Sequence, residues 1–153
     1  MGAPYVATQD EEIKDILEKA HLKKADIFIE LGCGDGRVTR EAVSSYHVKG
    51  IGYDINPLLT MSANSISKIL KLQNIQFRCE NVLKADLSEA DVIYIYLFPA
   101  LVKKLKTKLE KETKRPVMII SHGFTIPFLA DFQISSRQGK RFKSYYYRLS
   151  EKG

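Results

Sequence analysis

The segment ELGCGDGR, from Glu30 to Arg37, decides how this chain folds. It follows the apolar segment ADIFI and precedes the amphipathic segment VTREAVSSYHV, so it predicts a strand, a glycine loop and a helix in that order. Glycine has no side chain, and a loop of this kind therefore lets a nucleotide-like ligand approach the backbone closely.

Three glycines and one carboxylate indicate which ligand this loop suits. Gly32, Gly34 and Gly36 form the pattern G-x-G-x-G, which differs from the G-x-G-x-x-G pattern of dinucleotide-binding enzymes. The next apolar run, GIGYD, ends at Asp54, at the distance from the loop expected for a carboxylate that binds ribose hydroxyls. Together they predict a nucleoside-containing ligand; a tight turn without a ligand is the alternative.

Short apolar strands alternate with helices along the rest of the chain. The predicted strands cover residues 27–31, 50–54, 75–79, 92–97 and 117–121, and the predicted helices cover 9–21, 37–46, 57–72 and 100–111. Residues 132–137 and 142–149 alternate in the manner of strands and are joined by QGKR, which predicts a hairpin. We expect an α/β fold in one domain, 1–153, with a seven-stranded, mostly parallel sheet that ends in an antiparallel hairpin and carries helices on both faces.

Composition limits the function classes. No apolar run approaches the ~20 residues of a membrane helix, and the opening MGAPYVATQDEE has no basic region followed by an apolar stretch. Cys33 and Cys79 show no C-x-x-C spacing, so we expect no metal site and no disulfide. The net charge of +6 comes from lysines spread along the chain, which does not indicate a dedicated nucleic-acid surface. We expect a soluble cytoplasmic protein without membrane association.

Four motifs in order give the chain a family resemblance. ELGCGDGR, GYDINP, CENVLKADL and YIYLFP resemble the motifs of class I, or seven-strand, S-adenosylmethionine-dependent methyltransferases. PYVATQDEEIKDIL and YIYLFPALVKKLKTKLE narrow the resemblance to the small archaeal protein lysine methyltransferases and their mitochondrial relatives. The resemblance covers nearly the whole chain. It implies S-adenosylmethionine as the cofactor, a Rossmann-like fold and an archaeal cytoplasm.

The resemblance also implies a set of cofactor-binding residues. Glu30, Gly32 and Gly34 would hold the methionine end, and Asp54 the ribose hydroxyls. The adenine would lie against Ile55, Asn81 and Val82, and the methyl-transfer channel would include Tyr96 and Leu97. An N-terminal segment (1–22) would close over the cofactor through Tyr5 and Thr8. Asn81 is alternatively a plain turn residue, and Tyr5 and Thr8 are alternatively an anchoring contact.

The YIYLFP segment supplies the predicted catalytic residues. Tyr96, Phe98 and Pro99 lie where a parallel strand ends, which is the edge where ligands bind in such sheets, whereas Tyr94 suits core packing. We expect no catalytic base, because burial beside a positive sulfonium favours the neutral form of a lysine amine. His122 follows a strand at the same edge, and a structural role is the favoured interpretation for it.

The predicted substrates are exposed lysines of a broad range of proteins. We also expect self-methylation, because this protein has seventeen lysines. The protein is expected to be a monomer. A nucleic-acid methyltransferase, acting on RNA for example, is the main alternative, although YLFP replaces the N-P-P-Y motif of base-amine enzymes. A small-molecule methyltransferase would need a lid. The glycine spacing disfavours a nucleotide-dependent oxidoreductase. Only the aromatic YIYLFP segment disfavours a noncatalytic cofactor-binding module.

Overall fold

The computed structural model describes residue 8 and residues 10–150 of the chain. Within these residues five α-helices and seven β-strands follow one another, with short 3-10 turns at Val82–Lys84 and Pro127–Phe132. The elements are α1 (Asp10–Glu18), β1 (Ile27–Leu31), α2 (Arg37–Tyr46), β2 (Lys49–Asp54), α3 (Pro57–Ile69), β3 (Ile75–Cys79), β4 (Val92–Ile95), α4 (Pro99–Lys104), α5 (Lys106–Lys111), β5 (Val117–His122), β6 (Gln133–Gln138) and β7 (Lys143–Leu149).

The seven strands form one sheet in the order β3-β2-β1-β4-β5-β7-β6. The first five in this order are parallel, whereas β7 runs antiparallel to both β5 and β6. The predicted mostly parallel sheet with a terminal antiparallel hairpin is therefore confirmed. The order reverses between β1 and β4, and the carboxyl ends of strands on either side of such a switch point form a crevice in which ligands bind.

Helices cover both faces of the sheet, which explains why the central strands β1, β4 and β5 are buried on both sides. On one face, α1 and α2 pack on Phe28, Val92 and Tyr94. On the other face, α4 and α5 pack on Ile29, Leu31 and Ile93, among other side chains. Among residues 10–150, no helix has the length and apolar character that crossing a membrane requires.

The first helix is tied to the last strands. Arg137 of β6 forms an ion pair with Asp15 at 2.9 Å, and its second terminal nitrogen lies 3.8 Å from a carboxylate oxygen of Glu12. The hydroxyl of Tyr146, on β7, donates a hydrogen bond of 2.7 Å to the carbonyl oxygen of Ile16. Contacts across about 130 positions of sequence thus hold α1 against the sheet.

Four predicted helix or strand boundaries were wrong. The helix expected to reach residue 21 ends at Glu18. The helix expected over 100–111 is two helices, because the Leu105 N–H bonds to the Val102 carbonyl at 2.9 Å, an i to i−3 bond that tightens the turn. The strand expected to reach residue 97 ends at Ile95, so Phe98 lies beyond it as the N-cap of α4, before Pro99 at the first helical position. The helix expected to reach residue 72 ends at Ile69.

Candidate active site

A cavity of about 540 Å³ opens at the carboxyl ends of β1, β2 and β4. This volume lies within the range of about 300–1,000 Å³ typical of small-molecule sites. The predicted residues that line it are Thr8, Glu30, Gly32, Gly34, Asp54, Ile55, Asn81, Val82, Tyr96, Leu97 and Phe98. Pro99 begins α4 next to Phe98 and does not line the cavity, and Tyr5 lies outside the described residues.

The glycine loop passes close to its neighbours, and this closeness requires glycine at two positions. Gly32 has φ +84°, and a β-carbon added there would lie 2.6 Å from the carbonyl oxygen of Tyr96. Gly36 also has φ +84°, and its β-carbon would lie 2.5 Å from the ring of Phe77. At both positions, the left-handed backbone and the short distance to the neighbouring atoms exclude a side chain. Glycine at these positions therefore allows the loop to follow this path.

Asp54 joins the glycine loop to the start of α3. Its Oδ2 accepts the N–H of Gly34 at 2.9 Å, and its Oδ1 accepts the N–H of Asn56, also at 2.9 Å. Asn56 in turn caps α3 by accepting the N–H groups of Leu58 and Leu59. An ionised carboxylate offers about four acceptor positions. The two used here fix the orientation of Asp54, and the remaining positions are available to hydroxyl groups of a ligand.

Glu30 is a buried carboxyl group at the end of β1, with 2% of its surface exposed. Its Oε1 accepts both the N–H of Thr39 at 3.2 Å and the Thr39 hydroxyl at 2.6 Å, whereas Oε2 takes part in neither bond. Burial raises the pKa of Glu30 to about 8, although the bonds from Thr39 act in the opposite direction. A cationic group of a ligand placed against Glu30 would lower that pKa again, because an opposite charge favours the ionised form.

The cavity also contains polar residues that were not among the predicted site residues. Arg37 donates to Asp35 Oδ2 at 2.8 Å and to the carbonyl oxygen of Thr8 at 3.2 Å, which ties the loop to the N-terminal segment. Lys104 reaches the cavity from α4. Arg37 belongs to the ELGCGDGR motif and could have been proposed, whereas nothing in the sequence pattern distinguishes Lys104 from the lysines beside it.

Asn81 has the turn role considered for it and also lines the cavity. Its side-chain oxygen accepts the N–H of Leu83 at 3.0 Å and so caps the 3-10 turn at Val82–Lys84. The same residue lines the cavity together with Val82. The turn role is therefore a feature of the structure, and the adenine-binding role stays a prediction.

Aromatic rings surround the exit of β4. Tyr96 is half-buried, and its ring centroid lies 5.1 Å from that of His122 and 6.2 Å from that of Phe142. Phe98 is exposed and packs edge-on against Phe124 at 6.2 Å. An aromatic wall of this kind suits an alkyl chain that carries a cation.

Two groups with potential reactivity near the site are unreactive at neutral pH. Burial lowers the pKa of His122 to about 4, and its Nδ1 lies 2.9 Å from the Ser144 hydroxyl oxygen. His122 is therefore neutral and a weak proton acceptor. Burial raises the pKa of the Cys33 thiol well above its usual range, so this thiol stays protonated and is not a nucleophile.

The sequence matches a family of methyltransferases. The family model of the ANTKMT methyltransferase domain covers residues 30–132. A protein-lysine N-methyltransferase of Saccharolobus islandicus (strain REY15A) is 33% identical over 130 residues, which cover 80% of this chain and 78% of that protein. An adenine nucleotide translocase lysine N-methyltransferase of Mus musculus is 22% identical over 83% of this chain, but this chain spans only 56% of its length.

A solved structure is also similar over nearly the whole chain. It is described as an RNA methyltransferase from Salinibacter ruber in complex with S-adenosyl-L-homocysteine. Its TM-score is 0.88 and its sequence identity is 26%, with 96% of this chain and 95% of that chain covered.

Proposed function

The chain belongs to the ANTKMT methyltransferase domain family, and we propose that it transfers a methyl group from S-adenosylmethionine to lysine side chains of proteins. S-adenosylmethionine is the methyl donor of this methyltransferase fold. The observation that carries the lysine assignment is the 33% identity, over 80% of this chain, to a protein-lysine N-methyltransferase.

The residues around the cavity fit the parts of this cofactor. Asp54 has acceptor positions left for the two ribose hydroxyls after it has bound Gly34 and Asn56. Glu30 offers Oε2 to the ammonium group of the methionine part. Ile55 and the turn that begins at Asn81 would enclose the adenine. Gly32 and Gly34 keep the loop open beside the methionine part, and Thr8 would cover it from the N-terminal segment.

We propose that the acceptor lysine enters past Tyr96, Leu97 and Phe98, beside Pro99. Its amine has an ordinary pKa of ~10.4 and must lose a proton before its lone pair can attack. Burial against aromatic rings favours the neutral amine, as does a positive sulfonium nearby. The released proton goes to solvent, since His122 is neutral and too weak a base to keep it.

The transfer then needs positioning more than acid or base catalysis. When bound, the cofactor supplies a methyl group already activated by its sulfonium. The cofactor would supply both the methyl group and the sulfur that leaves with the electron pair of the broken bond, and the residues at the exit of β4 would hold the lysine nitrogen in line with the methyl carbon. The protein contributes an aligned approach, which in well-oriented cases lowers the activation barrier by about 7 to 11 kcal/mol.

The proposal extends to a broad range of protein substrates, to action as a monomer and to methylation of this protein itself. Lys104 is exposed and also lines the cavity, so it is the first residue to test for self-methylation. Intact-mass measurement after incubation with S-adenosylmethionine should show added methyl groups that the Lys104→Arg variant lacks. An unchanged mass of the wild-type protein would remove self-methylation from the proposal.

RNA methylation is a second candidate function, favoured by the Salinibacter ruber structure, which is described as an RNA methyltransferase. The sequence of the β4 exit disfavours it, because Tyr96, Leu97, Phe98 and Pro99 provide no polar clamp for a base amine. The two candidates share the cofactor and differ in the acceptor.

One experiment separates them. The purified protein is incubated with S-adenosylmethionine labelled in its methyl group and with matched protein and RNA fractions of one cell extract. The Asp54→Ala variant serves as the inactive control. We expect label in the protein fraction and methyllysine in its hydrolysate. Label confined to RNA would refute the lysine proposal, and label in neither fraction would contradict both candidates.

A further inference from the structure

The buried hydroxyl group of Tyr94, a residue that lines the cavity, is not accounted for by the packing of the sheet. Tyr94 is 1% exposed and packs against Phe28 in the core under α1 and α2. Tyr94 nevertheless lines the active-site cavity. Among the described residues its hydroxyl is buried and has no hydrogen-bond partner. A buried polar group without a partner costs free energy, so a hydroxyl kept in this state points to a partner that arrives later.

The position of Tyr94 identifies the part of the ligand involved. Tyr94 and Glu30 are paired neighbours on β4 and β1, so their side chains leave the same face of the sheet side by side. The Glu30 oxygen that Thr39 does not use is the acceptor proposed above for an α-ammonium group. An α-carboxylate is bonded to the same carbon atom as that ammonium group and must therefore lie beside it.

The two side chains offer complementary chemistry to an amino acid group. A carboxylate such as Glu30 only accepts hydrogen bonds when ionised, and an ammonium group only donates them. A ligand carboxylate needs a donor, and the Tyr94 hydroxyl is one. Burial raises the pKa of Tyr94 well above its usual value of 10, so the hydroxyl keeps its proton at neutral pH.

We propose that the Tyr94 hydroxyl donates a hydrogen bond to the α-carboxylate of the methionine part of the cofactor, opposite the ammonium group held by Glu30. This inference rests on the proposed function, because it concerns the same site. It makes Tyr94 a cofactor-binding residue as well as a core residue.

The test measures binding, not turnover. Tyr94→Phe removes only the hydroxyl and keeps the buried ring. Calorimetry compares three ligands: S-adenosylhomocysteine, its decarboxylated form, and 5′-methylthioadenosine, which lacks the whole amino acid group. We expect Tyr94→Phe to weaken S-adenosylhomocysteine binding about 10- to 100-fold, the effect of a hydrogen bond to a charged group, and to leave the other two affinities unchanged.

Tyr147→Phe is the matched control. Tyr147 is equally buried but lies in the core on the opposite face, and its hydroxyl accepts the Ile126 N–H at 2.8 Å. We expect Tyr147→Phe to lower the unfolding temperature and to leave all three affinities unchanged. Tyr94→Phe should keep or raise the unfolding temperature, since the hydroxyl it removes has no partner among the described residues.

The outcomes distinguish the inference from the proposed function. If the wild-type protein does not bind S-adenosylhomocysteine, the proposed function fails and the inference fails with it. If the wild type binds and Tyr94→Phe binds equally well, the inference alone is overturned. An equal loss for the decarboxylated ligand would also overturn it, because the hydroxyl would then contact the ammonium group instead of the carboxylate.

Discussion

Replacing Glu30 by glutamine should make the ligand-free protein more stable and the cofactor bind less tightly. Burial raises the pKa of Glu30 to about 8 from an ordinary 4.5, so the folded chain holds a proton on Glu30 over a pH range in which the unfolded chain has lost it. The stability contributed by this proton is fully present below pH 4.5 and falls as the pH rises toward 8. At about 1.36 kcal/mol per pH unit, the loss reaches the order of 4 kcal/mol near pH 8.

A glutamine side chain avoids this loss because it is neutral at every pH. Its oxygen can accept both bonds from Thr39 that Glu30 Oε1 accepts now. We therefore expect the free energy of unfolding of Glu30→Gln to rise, relative to the wild type, by on the order of 3 kcal/mol between about pH 5 and about pH 8. Urea denaturation at the two pH values measures this difference, with Glu89→Gln on the exposed surface as the control.

The affinity for the cofactor should fall in Glu30→Gln, although the free energy of unfolding rises. An ammonium group against Glu30 requires the ionised carboxylate, so binding to the wild type at pH 7 should release roughly 0.9 of a proton. Calorimetry in buffers of different ionisation enthalpy detects that proton. Glu30→Gln should release none and bind about 10- to 100-fold more weakly. A stability difference that does not vary with pH, or an unchanged affinity, would refute the role assigned to Glu30.

Four further changes test other parts of the site. Asp54→Ala should weaken S-adenosylhomocysteine binding by more than about 100-fold in calorimetry, since two hydrogen bonds to a charged group are lost; full affinity would contradict the ribose assignment. Gly32→Ala should lower the free energy of unfolding by about 3 kcal/mol in urea denaturation, because φ is +84° and the new β-carbon meets the Tyr96 carbonyl oxygen at 2.6 Å. Burial lowers the pKa of His122 to about 4, so His122 stays neutral in the folded chain while the unfolded chain takes up a proton. The stability that His122 contributes should therefore fall as the pH drops from 6.5 toward 4, opposite in sign to the contribution of Glu30. In urea denaturation, the free energy of unfolding of His122→Gln should rise relative to the wild type between the two ends of this range, and a difference that does not change with pH would argue against a buried neutral imidazole. Tyr96→Phe should lower turnover only a few-fold in a methyl-transfer assay, and complete loss of activity would indicate that its hydroxyl takes part in the chemistry.

The sequence predicted those features of the fold that depend on local pattern. The boundaries of β1 and α2 follow from the apolar run and the glycine loop between them, and α3 begins where Asn56 and Pro57 indicate. The break at Leu105 was missed because leucine is a good helix former and the helical periodicity continues through it. The order of the last strands also could not be predicted, since the hairpin pattern does not say which of its strands lies beside β5.

The candidate site was predictable to the extent that its residues belong to contiguous motifs. Glu30 and Asp54 end adjacent strands, and parallel strands bring such residues to one edge of a sheet. The bonds from Thr39 to Glu30 cross from a helix to a strand, and no spacing rule predicts them. Tyr94 was interpreted as a core residue, which agrees with its burial but not with its additional contact with the cavity.

The attachment of α1 to the hairpin affects the order in which the site can be completed during synthesis. A ribosome makes α1 first among the described elements and β7 last, yet Ile16 is anchored by Tyr146 and Asp15 by Arg137. Until both hairpin strands have emerged, α1 lacks these anchors, and Thr8, which precedes it, lacks their support over the cavity. A nascent chain should therefore gain full affinity for its cofactor only after both hairpin strands have emerged and anchored α1.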